Sequence, residues 1–307
     1  MSSIQIFNLT KKYGEFQAIS ELSFDVQKNR VVGFLGPNGA GKTTAIRLIV
    51  GLAKPTSGKI MIGGKEVRFG DASTNHLFGY LPEQPSFYNW MTGNEFLNFI
   101  GEVFALEKRE RTARIDHLLG VVNLKEARNK KIGTYSNGMK QRLGIAQALI
   151  NNPKILIMDE PVSALDPIGR REVLSVIENL KKEMTIFLST HVLSDVDRIC
   201  DDVIIINKGK LVVNSSLSEL KAKYATQILE IEFAEDPDKI IGMIQSENWA
   251  KKIEKNGNHL KIWISSEEIL SQNIPLKFFA KQSLGVLSYG LVLPEVEDLF
   301  IALLEEK

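Results

Sequence analysis

Apolar positions along the chain fall into short unbroken runs and longer runs with helical spacing, and the two kinds alternate. Val31–Leu35, Lys154–Met158, Thr185–Leu188 and Val203–Ile206 have strand length and almost no polar interruption, the pattern of strands buried on both faces. Thr44–Val50, with Ile46, Ile49 and Val50 in register, has helical spacing. So do Asn94–Phe104, Thr112–Leu119, Gly138–Ile150, Pro167–Leu180 and Asp195–Ile199. Buried strands alternating with helices predict an α/β fold on a parallel sheet. Ile4–Leu9 reads as a strand, ended by a turn at Tyr13-Gly14. Ala18–Val26 sets Leu22, Phe24 and Val26 against Ser23 and Asp25, a half-buried strand of antiparallel type. Lys59–Ile62 is a further strand between two glycine turns. Tyr80–Trp90 reads as irregular, with Pro82 and Pro85 and with Phe87, Tyr88 and Trp90 exposed.

The pattern changes around Ser215–Tyr224. Beyond it Leu229, Ile231 and Phe233 alternate with Glu230 and Glu232, and Leu260, Ile262 and Ile264 repeat that period. Trp263 is the apolar exception on the other face. Ile240–Ala250 reads as a helix between these strands, and Val296, Leu299, Phe300, Leu303 and Leu304 place another at the end. The expected organisation is a first domain over 1–217, with an inserted helical block at about 86–152, and a small α+β domain over 218–307.

Between the strand at Val31–Leu35 and the helix that follows lies Gly36-Pro37-Asn38-Gly39-Ala40-Gly41-Lys42-Thr43. Two glycines, then lysine and a hydroxyl, in a strand–loop–helix setting, form a phosphate loop. The glycines let successive N–H groups point inward, and the helix start adds partial positive charge. Gly36, Asn38, Gly39, Ala40, Gly41, Lys42, Thr43 and Thr44 are therefore the candidate triphosphate-binding residues. Lys42 reaches the β- and γ-phosphates and Thr43 offers its hydroxyl to Mg²⁺.

In parallel sheets ligands gather at the carboxyl ends of the strands. Asp159 and Glu160 close one buried strand and Ser189-Thr190-His191 closes another. Asp159 is the candidate Mg²⁺ carboxylate, and Glu160 the candidate general base for an attacking water. His191 is the candidate partner of that water and the γ-phosphate. Tyr13 is the candidate stacking face for adenine.

The bulk numbers narrow the partners. The chain has 307 residues, 38 Lys+Arg against 37 Asp+Glu, and a net charge of +1, so no basic stripe calls for nucleic acid. Cys200 is the single cysteine, which excludes an internal disulfide and suits a reducing compartment. Met1–Gly14 has no signal-peptide core, and no apolar run approaches bilayer length. The expected location is cytoplasmic, with any membrane role supplied by a partner.

At Tyr135-Ser136-Asn137-Gly138-Met139-Lys140-Gln141-Arg142 a serine and a glycine open a long helix, a second anion-ready N-terminus. With Ser163-Ala164-Leu165-Asp166 after the Asp159-Glu160 strand, roughly residues 4–215 resemble an ABC transporter ATP-binding subunit. Leu293-Pro294-Glu295-Val296-Glu297-Asp298-Leu299-Phe300 is similar to the closing motif of drug- and antibiotic-exporter subunits. The resemblance implies a RecA-like P-loop ATPase core with an antiparallel β subdomain and an inserted helical subdomain. It implies a head-to-tail dimer of two such subunits holding two ATP. Ser136 and Gly138 of one chain would meet the γ-phosphate held by Lys42 of the other, and Asp166 would couple the sites. It implies separate polytopic permease subunits, segment 84–92 touching them, and a peripheral position on the inner face of the membrane. Export is the implied direction.

Two positions depart from the family. Asn137 stands where glycine is usual, and asparagine tolerates left-handed backbone better than most residues. The family's Mg²⁺-sensing glutamine falls by count on Glu83, with Gln84 beside it; Gln84 is preferred for its chemistry. The alternative function is a soluble ABC ATPase of translation or DNA maintenance. Against it, the chain has one phosphate loop, no heptads and a single cysteine, which cannot build a zinc site.

Overall fold

The computed structural model describes residues 2–224, 228–282, 285–292 and 296–305. It divides into two compact units, 1–216 and 217–307. The first begins with β1 (Ser2–Tyr13) and β2 (Phe16–Gln27), a hairpin, then β3 (Val31–Leu35) and α1 (Lys42–Ile49). β4 (Ser57–Ile62) and β5 (Lys65–Glu66) follow, then β6 (Phe78–Leu81) and the helices α2 (Gly93–Val103), α3 (Lys108–Val121) and α4 (Asn137–Leu149). The chain returns through β7 (Ile155–Met158), α5 (Pro167–Leu180), β8 (Thr185–Thr190), α6 (Leu193–Ile199), β9 (Asp202–Asn207) and β10 (Lys210–Ser216).

Two sheets result. The larger runs β10-β9-β3-β8-β7-β6, parallel except for β10. The smaller runs β2-β1-β4-β5 and is antiparallel. The runs that look buried on both faces are so: every residue of β3, β7 and β8 is buried. Phe24 of β2, Phe34 of β3 and Phe187 of β8 join the sheets, with ring centroids 5.3–6.1 Å apart. Mutual aromatic packing of this kind adds ~0.5–1.5 kcal/mol per pair beyond the area buried.

The sequence reading misses β6 and β10 and treats 80–90 as wholly irregular. β6 instead forms the outer parallel strand against β7. Phe87 is not exposed but packs edge-on against Phe96 of α2, centroids 5.1 Å apart. Tyr88 and Trp90 are exposed as expected. Thr92 starts α2 with a reciprocal capping box to Glu95, an arrangement typically worth ~1 kcal/mol.

The second unit contains α7 (Leu217–Tyr224), β11 (Ile228–Phe233), α8 (Asp238–Gln245), β12 (Ala250–Asn256) and β13 (His259–Ile264). α9 (Glu267–Ser271), α10 (Ile274–Ala280), β14 (Val286–Leu291) and α11 (Val296–Glu305) complete it. Strand order β12-β13-β11-β14 is antiparallel throughout, with α8 in one crossover and α9 and α10 in the other. This is a split βαβ arrangement of the ferredoxin-like kind. Its core includes Leu229, Ile231, Phe233, Leu260, Ile262 and Ile264, with Trp249. The helix expected over 240–250 stops at Gln245, because Trp249 turns into the core and Ala250 opens β12. In the closing motif, Leu293-Pro294-Glu295 lie outside the described residues; Val296 and Leu299 of α11 are buried.

Candidate active site

Three strand ends of the parallel sheet deliver the site. β3 runs into the loop 36–41 and then α1; its N-cap Gly41 has φ 103, in the left-handed region that favours glycine. No side chain caps α1, and its first turn carries no acidic residue. The N-terminal dipole and N–H groups are therefore left for an external anion. Lys42 is 7% exposed; its Nζ donates to the Gly36 carbonyl at 2.8 Å and lies 3.4 Å from Glu160 Oε1.

β7 delivers Asp159 and Glu160, both buried. The Asp159 N–H donates to the Leu81 carbonyl at 2.9 Å, which fixes its place beside β6. Thr43 Oγ1 donates to Asp159 Oδ1 at 3.4 Å. Glu160 has φ 48, uncommon for a residue with a long side chain. The strain is held by Ser189 of β8. Its hydroxyl donates to Asp159 Oδ1 at 2.6 Å and accepts the Glu160 N–H at 2.9 Å. Past β8, His191 Nδ1 lies 2.9 Å from Glu160 Oε2, with nearly half of its ring open to solvent. Asp159's field reaches beyond this cluster. The Tyr80 phenol on β6 is pushed up to about 12, by burial first and by the negative charge of Asp159 second.

These groups line a cleft of about 480 Å³. Asn38, Gly39, Gly41, Lys42, Thr43, Thr44, Glu160 and His191 border it, as do Phe16, Glu83 and Ser163. Gly36 reaches the site through its carbonyl, and Ala40 is buried behind the loop. Asp159 sits behind the lining on Thr43 and Ser189. Tyr13 is not in the lining; it stands opposite Phe16 across the hairpin, beneath Lys11 Nζ at 4.5 Å. Gln84 is not in the lining either, and Glu83 is. Sequence reasoning gave Ser189 no role and overlooked Phe16. For Ser189 a signal existed in the hydroxyl at the same strand end as His191.

Ser136, Gly138 and Asp166 are not among the residues that line the cleft. Ser136 is the exposed N-cap of α4, and its Oγ accepts the Met139 N–H at 3.2 Å. Asn137 is the first helical residue and does not have positive φ, so no left-handed tolerance is needed there. A Cβ on Gly138 would come within 3.1 Å of Gly169 Cα, so glycine is what lets α4 approach the start of α5. Asp166 caps α5 through the Gly169 N–H at 3.0 Å.

Comparison with known proteins gives this geometry its family. The ABC transporter family model matches residues 19–163. The ABC transporter ATP-binding protein YxlF of Bacillus subtilis is 45% identical over 251 residues, 81% of this chain and 82% of that one. The bacitracin transport ATP-binding protein BcrA of Bacillus licheniformis is 36% identical over 304 residues, 98% and 97% of the two chains. Among solved structures, cbiO1 of Clostridium perfringens, part of an ABC transporter complex, superposes with TM-score 0.67 at 25% identity. The match covers 72% of this chain and 91% of that one. The chain belongs to the ABC transporter ATP-binding proteins: it is a nucleotide-binding subunit of a transporter and an ATPase. Among the described residues no helix is long and apolar enough to cross a membrane.

Proposed function

We propose that the protein powers an export-type transporter by closing head to tail on a second copy around two ATP molecules. The observation that carries this reading is the convergence of Lys42, Glu160 and His191 beside an uncapped helix start. When ATP enters, the β- and γ-phosphates replace the Gly36 carbonyl and the Glu160 carboxylate as partners of the Lys42 ammonium. Glu160 is thereby released to accept a proton from water. That water adds to the γ-phosphorus as the bond to the β-phosphate oxygen breaks, and ADP and phosphate leave. His191 positions Glu160 and the water, and Lys42 offsets charge as the phosphoryl group transfers.

The donor set fits Mg²⁺: a hydroxyl and a buried carboxylate stand side by side in Thr43 and Asp159, next to the phosphate loop. When bound, the ion neutralises the β- and γ-phosphate oxygens. Thr43 and Asp159 would hold it, and Glu83, which lines the cleft, would stand in the place expected of Gln84. Phe16, rather than Tyr13, supplies the stacking face for adenine.

The γ-phosphate face of the cleft is completed by Ser136 and Gly138 of the partner chain, with Asp166 near the junction. Support comes from their absence from the lining of their own cleft and from the exposure of Ser136. A permease docks on the groove lined by Leu52, Tyr80, Val103 and Phe104 and on the exposed Tyr88 and Trp90 of segment 84–92. An apolar groove on a chain whose described helices include no candidate span fits a partner helix from a membrane subunit. The subunit then works in the cytoplasm, peripheral on the inner face of the membrane. Export is favoured by the match, along nearly its whole length, to a protein named for bacitracin transport.

The test is Glu160→Gln. It is expected to bind Mg-ATP, abolish turnover and accumulate a dimer on gel filtration. Rapid phosphate release by this variant, or a monomer at saturating ATP, contradicts the reading.

A further inference from the structure

The sheet of the second unit has two edges, and they are built differently. β12 carries Lys251, Lys252, Glu254 and Lys255. Charged side chains of this kind, lysine above all, are how an edge strand resists adding another strand. β14, the opposite edge, has the sequence Val-Leu-Ser-Tyr-Gly-Leu, with no charged side chain and no proline. Leu287 is 64% exposed, Leu291 53% and Val286 40%. In register with β11, Tyr289 lies opposite Ile231 and Leu291 opposite Leu229, so both share the face that carries the core. Tyr289 reaches the ring of Phe279, but Leu291 stays open. The apolar face therefore runs on past its helical cover. Beside it, β14 has no strand on its outer side among the described residues.

We infer that β14 pairs antiparallel with β14 of a second copy of this chain, so that two four-stranded sheets become one continuous sheet. Charge selects this occupant. β14 meets its own copy at no electrostatic cost, β12 meeting itself would bring together two strands that each carry three lysines and one glutamate, and β12 against β14 would press ammonium groups onto Leu287 and Leu291. An antiparallel strand about a two-fold axis is also complementary to itself in its backbone donors and acceptors. A six-residue strand offers less than the ~1,200 Å² of a stable interface. The pairing is thus weak by itself and gains from effective concentration when two cassettes are held together. In that respect alone it rests on the proposed ATP-bound dimer.

The test is a cysteine scan along Val286–Leu291 in the full chain, under mild oxidation. It is run without nucleotide at high chain concentration, and again with ATP in the Glu160→Gln background. The native thiol, Cys200, does not compete, since it is buried and burial pushes its pKa up, which keeps it protonated. A two-fold strand pair gives disulfide-linked dimers that peak at one position and fall off on both sides, because only residues facing each other come within bonding distance. Adding Leu287→Lys and Leu291→Lys is expected to lower the linked fraction roughly tenfold while the ATP-locked dimer on gel filtration is unchanged. An ATP-locked dimer without cross-links at any of the six positions overturns the β14 pairing and leaves the cassette reading intact. Cross-links with no ATP-locked dimer support the pairing and remove the cassette reading. Linkage that survives both lysines overturns the pairing.

Discussion

The first unit presents two helix starts suited to phosphate, and they are finished in opposite ways. At α1 the N-cap is a left-handed glycine without a side-chain cap, and Lys42, Thr43, Asp159, Glu160 and His191 crowd around it. At α4 the N-cap is a serine whose hydroxyl already accepts a backbone N–H, and it is exposed and absent from the cleft lining. In the proposed function the first start holds and cleaves a phosphate, and the second recognises one by giving up its internal cap for an external ligand. Two unlike halves on one chain make sense when two chains are combined, each half meeting its opposite. The difference also fixes what each substitution should disturb: affinity and chemistry at α1, closure alone at α4.

The largest effect is expected at Glu160, the only carboxylate within reach of both Lys42 and His191 among the described residues. Glu160→Gln should lower steady-state phosphate release by about 10²–10⁴-fold, the usual worth of a general base, with ATP affinity retained. Lys42→Ala should weaken ATP binding in an equilibrium titration by about 10- to 100-fold, the loss of a charged hydrogen bond. Ser189→Ala leaves the Glu160 N–H without its partner and should cost ~1–3 kcal/mol of stability in denaturant unfolding. It should also slow turnover through misplacement of Glu160. Phe16→Ala should weaken ATP binding by about fivefold or more, and Tyr13→Ala by less; equal losses would erase the distinction between the two aromatics. Ser136→Ala should cost only ~1 kcal/mol of helix stability and leave ATP affinity of the isolated chain unchanged. A drop in that affinity would mean that α4 serves its own cleft.

What could be read from the residues follows from how each is buried. β3, β7, β8 and β9 are apolar without break because helices or a second sheet cover both faces, and a run of that kind stands out. β6 does not, because it has only four residues, with Gly79 and Tyr80 inside it and Pro82 directly after it. That glycine looks like a breaker, yet a Cβ there would sit 2.1 Å from the Ala148 carbonyl, so α4 packs directly on the strand. β12 was hidden by its lysines and β14 by the lack of any alternation, both consequences of lying at sheet edges. In the site, the residues bound to strand ends were legible, since topology alone brings strand ends together. Residues on turns were not. Which of Tyr13 and Phe16 lines the cleft depends on the pose of the hairpin. Which of Glu83 and Gln84 does depends on one step of backbone after β6. Ser189 escaped notice because its work is to hold two backbone-fixed neighbours rather than to carry charge.

The central claim is that one working site takes its parts from two chains, and mixing two disabled chains tests it directly. Lys42→Ala spoils the phosphate loop and keeps Ser136; Ser136→Arg spoils the α4 start and keeps the loop. In a mixed pair one site joins the intact loop of one chain to the intact Ser136 of the other. ATP hydrolysis by the mixture should exceed the sum of the two separate rates, with a maximum near equal amounts. A rate that never rises above that sum, at any ratio, contradicts the shared site.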